Sequence, residues 1–152
     1  MDAMEIYLRR AIYEDASKIH HTFFANEPWY DFHSRFFHWI SGQVENRLIY
    51  LLAEQDEVLV GQGQLHFFRR DRAEIANVCV AAAFQRQGVG TAIISQLLQE
   101  AQARPCLKIE LCVAENNQAA QSLYRQLGFE VVSSIVTLQD GLAFVMAKEL
   151  AY

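Results

Sequence analysis

The chain has 152 residues, of which 52% are hydrophobic and 20% charged, a composition that fits one folded globular domain over residues 1–152 and excludes a disordered or fibrous chain. Its formal net charge of −5 argues against nucleic acid or an anionic membrane as a partner. No apolar run approaches the ~20 residues that cross a bilayer, and the start, MDAMEIYLRR, lacks the apolar core of a signal peptide, so we predict a cytoplasmic protein.

The first predicted elements are a strand and a helix. Residues 4–10 alternate loosely between apolar and polar side chains, which predicts a strand. Asp15 is placed to cap a helix that carries Ala16, Ile19 and Phe23 on one side.

A second helix is predicted from Pro28 to Ile40, because proline suits the first turn of a helix. Its aromatic residues are Trp29, Tyr30, Phe32, Phe36, Phe37 and Trp39. This density predicts a helix buried between layers, and alternatively a wall of an acceptor pocket or a dimer face. Four histidines lie in the same half without supporting carboxylates, so we expect no metal site.

Three strands are predicted next, at residues 48–54, 58–68 and 73–80. A polar turn joins the first two, and the basic turn Arg69–Arg72, which we expect to be solvated, joins the second to the third.

The stretch from Gln85 to Thr91 separates the apolar strand from a helix predicted over residues 89–103. A glycine-rich loop at this point exposes the unpaired N–H groups of a helix N-terminus, which suit a phosphate. Gly88 and Gly90 would allow the phosphate to approach without a Cβ in the way.

The C-terminal part predicts a strand at 107–113, a helix at 117–127, and strands at 130–138 and 142–149 around the turn Gln139–Gly141. Leu107, Ile109, Leu111 and Val113 are expected on one face of the first of these strands. The predicted fold is α/β, a twisted mixed sheet of about seven strands with helices on both faces.

The three cysteines, Cys79, Cys106 and Cys112, form no pair with metal-binding spacing. Cys79 and Cys112 fall inside strand-like runs, so we interpret both as small buried hydrophobic residues.

Two familiar phosphate-binding patterns do not match the loop. The chain has no Gly-Lys-Ser/Thr of a P-loop, and no third glycine with an acidic residue about 20 positions on, as dinucleotide folds require. The remaining pattern, Gln85 to Gly90, resembles the GNAT family of acyl-CoA-dependent N-acetyltransferases.

The resemblance extends over nearly the whole chain. Leu8-Arg9-Arg10-Ala11 with Asp15-Ala16 resembles the family's opening, and Asn117-x-x-Ala120-x-x-Leu123-Tyr124-x-x-x-Gly128-Phe129 is similar to its later signature. One departure is Ala82, where the family often has proline.

The resemblance implies acetyl-CoA as co-substrate, bound in a splayed cleft between strands 73–80 and 107–113. Its diphosphate would bind amides of residues 86–91, and its pantetheine arm would pair with the backbone of Val78 and Val80. One N–H of that strand, that of Val80, could polarise the thioester carbonyl. The cofactor-binding residues implied are Val78, Val80, Gln85, Arg86, Gln87, Gly88, Val89, Gly90, Thr91, Asn117 and Tyr124.

The same resemblance suggests Glu74 as general base and Tyr124 as general acid, because acyl transfer to an amine requires a proton to leave the amine and one to reach the thiolate. By simple alternation Glu74 shares a strand face with Val78 and Val80, unless a bulge intervenes. A water chain or Glu110 could replace Glu74, and we do not expect Glu110 to pair with Lys108.

The favoured function is acetyl transfer from acetyl-CoA to a primary amine of a small molecule, by direct attack in a ternary complex. Three alternatives are an acetyltransferase acting on a protein N-terminus, a non-catalytic acyl-CoA-binding module, and an interaction protein that forms a homodimer through its aromatic segment or last strands.

Overall fold

A seven-stranded sheet organises the computed structural model, which describes residues 5–138 and 141–150. The strands are β1 (Tyr7–Arg10), β2 (Leu48–Gln55), β3 (Val58–His66), β4 (Arg72–Val80), β5 (Lys108–Ala114), β6 (Glu130–Thr137) and β7 (Gly141–Glu149). The helices are α1 (Ala16–Phe23), α2 (Trp29–Val44), α3 (Val89–Gln102) and α4 (Gln118–Gln126). Met4 and most of the predicted turn at Gln139 and Asp140 lie outside the described residues.

The strand order across the sheet is β1-β2-β3-β4-β5-β7-β6. Neighbouring strands run antiparallel except β4 and β5, which are parallel and are connected through α3. A parallel pair needs such a crossover, and its helix must pack back onto the sheet. The predicted mixed sheet of seven strands, with helices on both faces, is confirmed.

The two faces of the sheet carry separate hydrophobic cores. On one face α3 and α4 pack through residues such as Ile93, Leu97 and Tyr124. On the other, α1 and α2 bury Phe32 and Phe36 against the central strands. The aromatic segment is therefore buried on one side only, and the expectation of a helix buried between layers was wrong. Its other side is exposed, with Trp29, Tyr30 and Phe37 accessible to solvent.

Helix α3 lies very close to β3. A Cβ placed on Gly61 would come within 2.7 Å of Val89 Cγ1, and one on Gly63 would come within 2.5 Å of Ile93 Cγ2. Carbon atoms in contact prefer separations of about 3.5–4.0 Å. These two glycines therefore set how closely the helix approaches the sheet.

Two expectations about helix starts were wrong. Asp15 does precede α1, but its carboxylate does not cap that helix; it accepts the Ile12 N–H at 2.8 Å and binds the Arg9 guanidinium. Burial alone would raise the pKa of Asp15, yet these two contacts outweigh burial and lower it. Pro28 stands just before α2 in extended conformation instead of in its first turn.

Three expectations about single residues can also be compared with the structure. Arg69 and Arg70 form an exposed turn, as predicted. Leu107 does not share the burial of Ile109, because it precedes β5 and remains 53% exposed. Cys112 is exposed instead of buried, because its side of β5 faces away from Leu111 and the core packed around α3.

Candidate active site

A cleft opens where the two parallel strands of the sheet separate. β4 and β5 are paired only at Arg72–Lys108, Ala73–Ile109 and Glu74–Glu110. Both strands continue past these pairs, to Val80 and Ala114 respectively. The space between them is a groove of about 280 Å³. Its lining residues are Ile75, Ala76, Asn77, Val78, Leu111, Cys112, Val113, Ala114, Asn117, Ala120 and Tyr124.

A β-bulge changes the course of β4 beside the cleft. Gln64 of β3 lies opposite Ala76 and Gln62 lies opposite Cys79, so β4 has one residue more than β3 between these pairs. Asn77 lies in this stretch with φ of 54°, a left-handed conformation that asparagine tolerates better than most residues.

The bulge reverses the alternation of side chains along β4. Ala73 and Ile75 are buried in the core around α3, and Val78 and Val80 pack against the same core. Glu74 therefore points to the opposite face, toward the side of α1 and α2. The expectation from simple alternation, that Glu74 shares a face with Val78 and Val80, was wrong.

The N–H of Val80 points into the cleft. The Ala81 N–H donates to the Val60 carbonyl across the β3–β4 pair at 2.8 Å. Because successive backbone N–H groups along a strand point to opposite sides, the Val80 N–H points away from β3, toward the side from which β5 has diverged. Backbone groups on this edge of β4 are thus accessible to a molecule lying in the cleft.

The loop that leads into α3 lies at one end of the cleft. Gln85 Nε2 donates to the Val80 carbonyl at 3.3 Å, and Gln87 Nε2 donates to the Ala83 carbonyl at 3.3 Å, which ties the loop to the end of β4. Gly88 precedes the helix with φ of 86°, and a Cβ built there would meet no atom within 4 Å. Arg86 also has positive φ, at 64°.

The start of α3 presents donors to this open space. Residues from Val89 to Thr91 form its first turn, where backbone N–H groups have no partner within the helix. Gly90 makes only ordinary contacts, since its added Cβ would lie 3.6 Å from Leu123 and 3.7 Å from Val80. The combination of free N–H groups, helix dipole and open space suits a phosphate group.

Helix α4 brings Tyr124 and Asn117 to the other wall of the cleft. Tyr124 is buried, with its ring edge-to-face against Phe129 at a centroid distance of 6.0 Å. Burial, with a smaller contribution from Cys79, raises the pKa of the Tyr124 hydroxyl, so it keeps its proton at neutral pH. Asn117 caps α4, because its Oδ1 accepts the Ala120 N–H at 3.2 Å.

Two carboxylates lie at the point where the strands separate. Partial burial, followed by the charge of Glu110, raises the pKa of Glu74. Glu110 itself lies 3.8 Å from Arg72 Nη1 and 3.7 Å from Lys108 Nζ. The expectation that Glu110 would not pair with Lys108 was wrong, because the two long side chains on one strand face converge at their ends. Glu74 is thus the less neutralised of the two carboxylates.

Sequence reasoning missed a buried polar network under β4. Gln62 and Gln64 of β3 are both fully buried and hydrogen-bonded to Asn77, and the Tyr50 hydroxyl donates to Gln62 Oε1. Two polar residues at alternate positions of an otherwise apolar strand were the available signal, since buried amides need partners. In the described part of the chain, no group of three His, Cys, Asp or Glu side chains is arranged to hold a metal ion.

Comparisons with known proteins agree with this geometry. The family model described as "Acetyltransferase (GNAT) family" matches residues 9–129. The [ribosomal protein bS18]-alanine N-acetyltransferase of Escherichia coli K12 is 39% identical over 59 residues, 39% of this chain and 40% of that protein. The chain thus spans about 40% of the length of the first curated relatives that it matches.

Two solved structures share the fold over nearly the whole chain. Ard1 from Thermoplasma volcanium superposes with a TM-score of 0.83 at 18% identity, covering 97% of this chain and 99% of that one. YncA from Salmonella typhimurium, solved with its cofactor acetyl-CoA, also gives 0.83, at 21% identity and coverages of 97% and 95%. Within the described residues, none of the helices combines the length and apolar character needed to cross a bilayer.

Proposed function

The chain belongs to the GNAT acetyltransferase family, and from this premise we propose that it transfers an acetyl group from acetyl-CoA to a primary amine of a small molecule. Residues 1–152 act as one acetyltransferase domain in this proposal. The observation that carries the proposal is the cleft between β4 and β5. A phosphate-type loop lies at one end of it, Tyr124 lines it, and Glu74 lies at the last paired position, where the strands begin to separate.

The donor binds along the cleft. The first-turn N–H groups of α3 hold the diphosphate, and the open space at Gly88 admits it. The edge of β4 at Val78 pairs with the amides of the pantetheine arm, as an added strand would, and the Val80 N–H is left for the thioester. The relative from Salmonella typhimurium, which has the same fold, was solved with acetyl-CoA.

Acetyl-CoA supplies the acetyl group as a thioester, and the protein handles the charge and the protons. The Val80 N–H donates to the thioester oxygen as negative charge develops on it. Glu74 is six residues from Val80 along β4, so it takes the proton that the amine loses, as the amine nitrogen bonds to the acetyl carbon, through a chain of waters in the cleft. Tyr124 gives its proton to the sulfur as the carbon–sulfur bond breaks.

The acceptor approaches from the face of α1 and α2, because Glu74 points there and α3 and α4 cover the other face. A primary amine is a cation in water at pH 7, so the carboxylates of Glu74 and Glu110 attract it before it is deprotonated. Among the described residues, those that line the cleft include none from α2, so we assign the main selectivity to this charge attraction.

A protein N-terminus is the second candidate acceptor. It is favoured by the 39% identity to bS18-alanine N-acetyltransferases, although that likeness covers only 40% of their length. An α-amino group is also a primary amine, with a lower pKa of about 7.7–8.0, so less of it needs deprotonation.

The test is release of free thiol from acetyl-CoA with a panel of diamines, amino sugars, amino acids and peptides that begin with alanine. Turnover with small amines supports the proposal, and turnover with peptides alone supports the second candidate. Tight binding of coenzyme A without turnover on any amine would point instead to a binding module.

A further inference from the structure

The bulge residue Asn77 is held from two directions by side chains of the neighbouring strand. Gln62 Nε2 donates to the backbone carbonyl of Asn77 at 3.1 Å. The side-chain Nδ2 of Asn77 donates to Gln64 Oε1 at 2.9 Å. One contact fixes the peptide plane that follows the left-handed φ, and the other fixes the side chain.

Each glutamine is itself oriented by a donor further from the cleft. The Tyr50 hydroxyl donates to Gln62 Oε1, which leaves Gln62 Nε2 directed at Asn77. His66 Nε2 lies 2.7 Å from Gln64 Oε1 and must donate, because a carboxamide oxygen only accepts. Tyr50, Gln62 and Gln64 are all fully buried, so water does not compete for these bonds.

The oxygen of the Gln64 amide is shared by two neighbours. It accepts from Asn77 Nδ2 at 2.9 Å and lies 2.7 Å from His66 Nε2. An apolar side chain of the same size could also be buried at this position, but it would offer Asn77 no acceptor. The amide of Gln64 is therefore what holds the side chain of Asn77.

The bulge at Asn77 determines which backbone N–H groups of β4 point into the cleft. Without the extra residue of β4, Val80 and Val78 would shift by one position relative to β3, and the N–H that points toward β5 would belong to another residue. A one-residue change in register moves the N–H that faces the thioester carbonyl in the proposed reaction.

We infer that Gln62 and Gln64 are positioning residues for the reaction proposed above, because they hold the Asn77 bulge and so aim the Val80 N–H into the cleft. The inference rests on the proposed function. In the described part of the chain, the two glutamines reach β4 through Asn77, Cys79 and the β3–β4 pairing, so both act through the backbone of β4.

The test uses Gln62→Met and Gln64→Met, which keep volume and remove the amide. Gln55→Met is the matched control, since Gln55 is also a buried strand glutamine, with an unpartnered Oε1, but lies on β2 away from the bulge. We expect kcat to fall about 10-fold to 100-fold in the first two variants, because the Val80 N–H would be displaced from the thioester carbonyl. KM for acetyl-CoA should rise by a smaller factor than kcat falls, the pH profile should change little, and the control should keep both kcat and KM.

Two further variants keep the result interpretable. Tyr50→Phe removes one hydroxyl and frees Gln62 to rotate, so it should give a smaller loss of kcat in a folded protein. Asn77→Gly and Asn77→Ala both lose the side-chain hydrogen bond to Gln64 and keep the backbone carbonyl that Gln62 binds. Glycine tolerates positive φ, so Asn77→Gly should retain more activity than Asn77→Ala. Equal kcat in the Gln62, Gln64 and Gln55 variants, or equal loss in the two Asn77 variants, would overturn the inference.

A spectroscopic readout separates this inference from the proposed function. The amide resonance of Val80, followed by NMR in the protein without ligand, should move in Gln62→Met and Gln64→Met and stay in place in Gln55→Met. If the unaltered protein neither binds coenzyme A nor turns over an amine, the proposed function fails, while the Val80 shift still decides whether the glutamines set the backbone.

Discussion

Glu74 and Glu110 lie directly opposite each other at the last paired position of β4 and β5, and beyond them the two strands separate. Two carboxylates at one position repel, and Glu110 is partly neutralised by Arg72 and Lys108. Burial, followed by the charge of Glu110, raises the pKa of Glu74. The opening of the cleft therefore coincides with a carboxyl group whose pKa is raised.

Replacement of Glu74 by glutamine should lower kcat/KM by about 10²-fold, the usual contribution of a general base. Activity of the unaltered protein should fall as pH drops through the raised pKa of Glu74, and the variant should lose this acid limb. Initial rates measured from pH 5 to 9 check both. Glu110→Gln is the control: it removes the neighbouring charge and should move the limb to lower pH. Retained activity in Glu74→Gln would mean that the water chain delivers the proton to an acceptor other than Glu74.

The same substitution has a predicted effect on stability with a definite sign. A carboxyl whose folded pKa is raised stabilises the fold below its unfolded pKa and loses that contribution as pH rises through the folded value. Glu74→Gln should therefore melt at the same temperature as the unaltered protein near pH 4 and at an equal or higher temperature at pH 8. Thermal unfolding across this range measures it, and a lower melting temperature of the variant at pH 8 only would contradict the raised pKa.

Replacement of Tyr124 by phenylalanine should lower kcat by about 10²-fold, because the leaving thiolate loses its proton donor. Affinity for coenzyme A and melting temperature should stay close to those of the unaltered protein, since the ring keeps its contact with Phe129. Stopped-flow rates and calorimetry separate the two effects. Tyr30→Phe, at an exposed tyrosine of α2, should change neither. Unchanged kcat in Tyr124→Phe would remove the hydroxyl from the mechanism.

Replacement of Gly88 by asparagine should raise KM for acetyl-CoA about 10-fold, the effect of losing ~1.4 kcal/mol of binding. Asparagine tolerates the φ of 86°, so the protein should fold, but its side chain enters the open space that we assign to the diphosphate. Gly141→Asn is the control, because Gly141 also has positive φ and nothing within 4 Å of an added Cβ. Equal KM values in the two variants would place the diphosphate elsewhere.

Replacement of Asn117 by alanine should destabilise the protein by about 1 kcal/mol, the typical value for an N-cap. Asn117→Asp keeps an oxygen that accepts the Ala120 N–H and should lose much less. Urea denaturation gives the free energy of unfolding for both. Comparable losses would mean that Asn117 acts through something other than the cap.

Local pattern predicted most of the fold, because strand and helix periods are properties of neighbouring residues. A strand was predicted at residues 73–80 and a helix at residues 89–103, each within a residue of the observed bounds of β4 and α3. The bulge at Asn77 was not predictable in the same way. Its left-handed φ depends on Gln62 and Gln64, which are distant in sequence and meet Asn77 only after β3 and β4 pair.

The errors at the site have the same origin. Which face Glu74 occupies depends on the bulge, and the exposure of Cys112 depends on which side of β5 the helices cover. By contrast, the loop at Gly88 could be placed from sequence, since its glycines and the helix after it are contiguous. Contacts between strands, which require register, were beyond the reach of residue order.

The close packing of α3 on Gly61 and Gly63 affects the spacing of the two sites that are proposed to bind the ends of acetyl-CoA. The first turn of α3 carries the proposed diphosphate site, and β4, paired to β3, carries the Val80 N–H. The distance between the diphosphate site and the Val80 N–H therefore depends on how closely α3 packs on β3. The lack of a Cβ at Gly61 and Gly63 thus sets the spacing between the diphosphate site and the Val80 N–H. Any side chain at either position would move the start of α3, and with it the diphosphate site, away from the Val80 N–H.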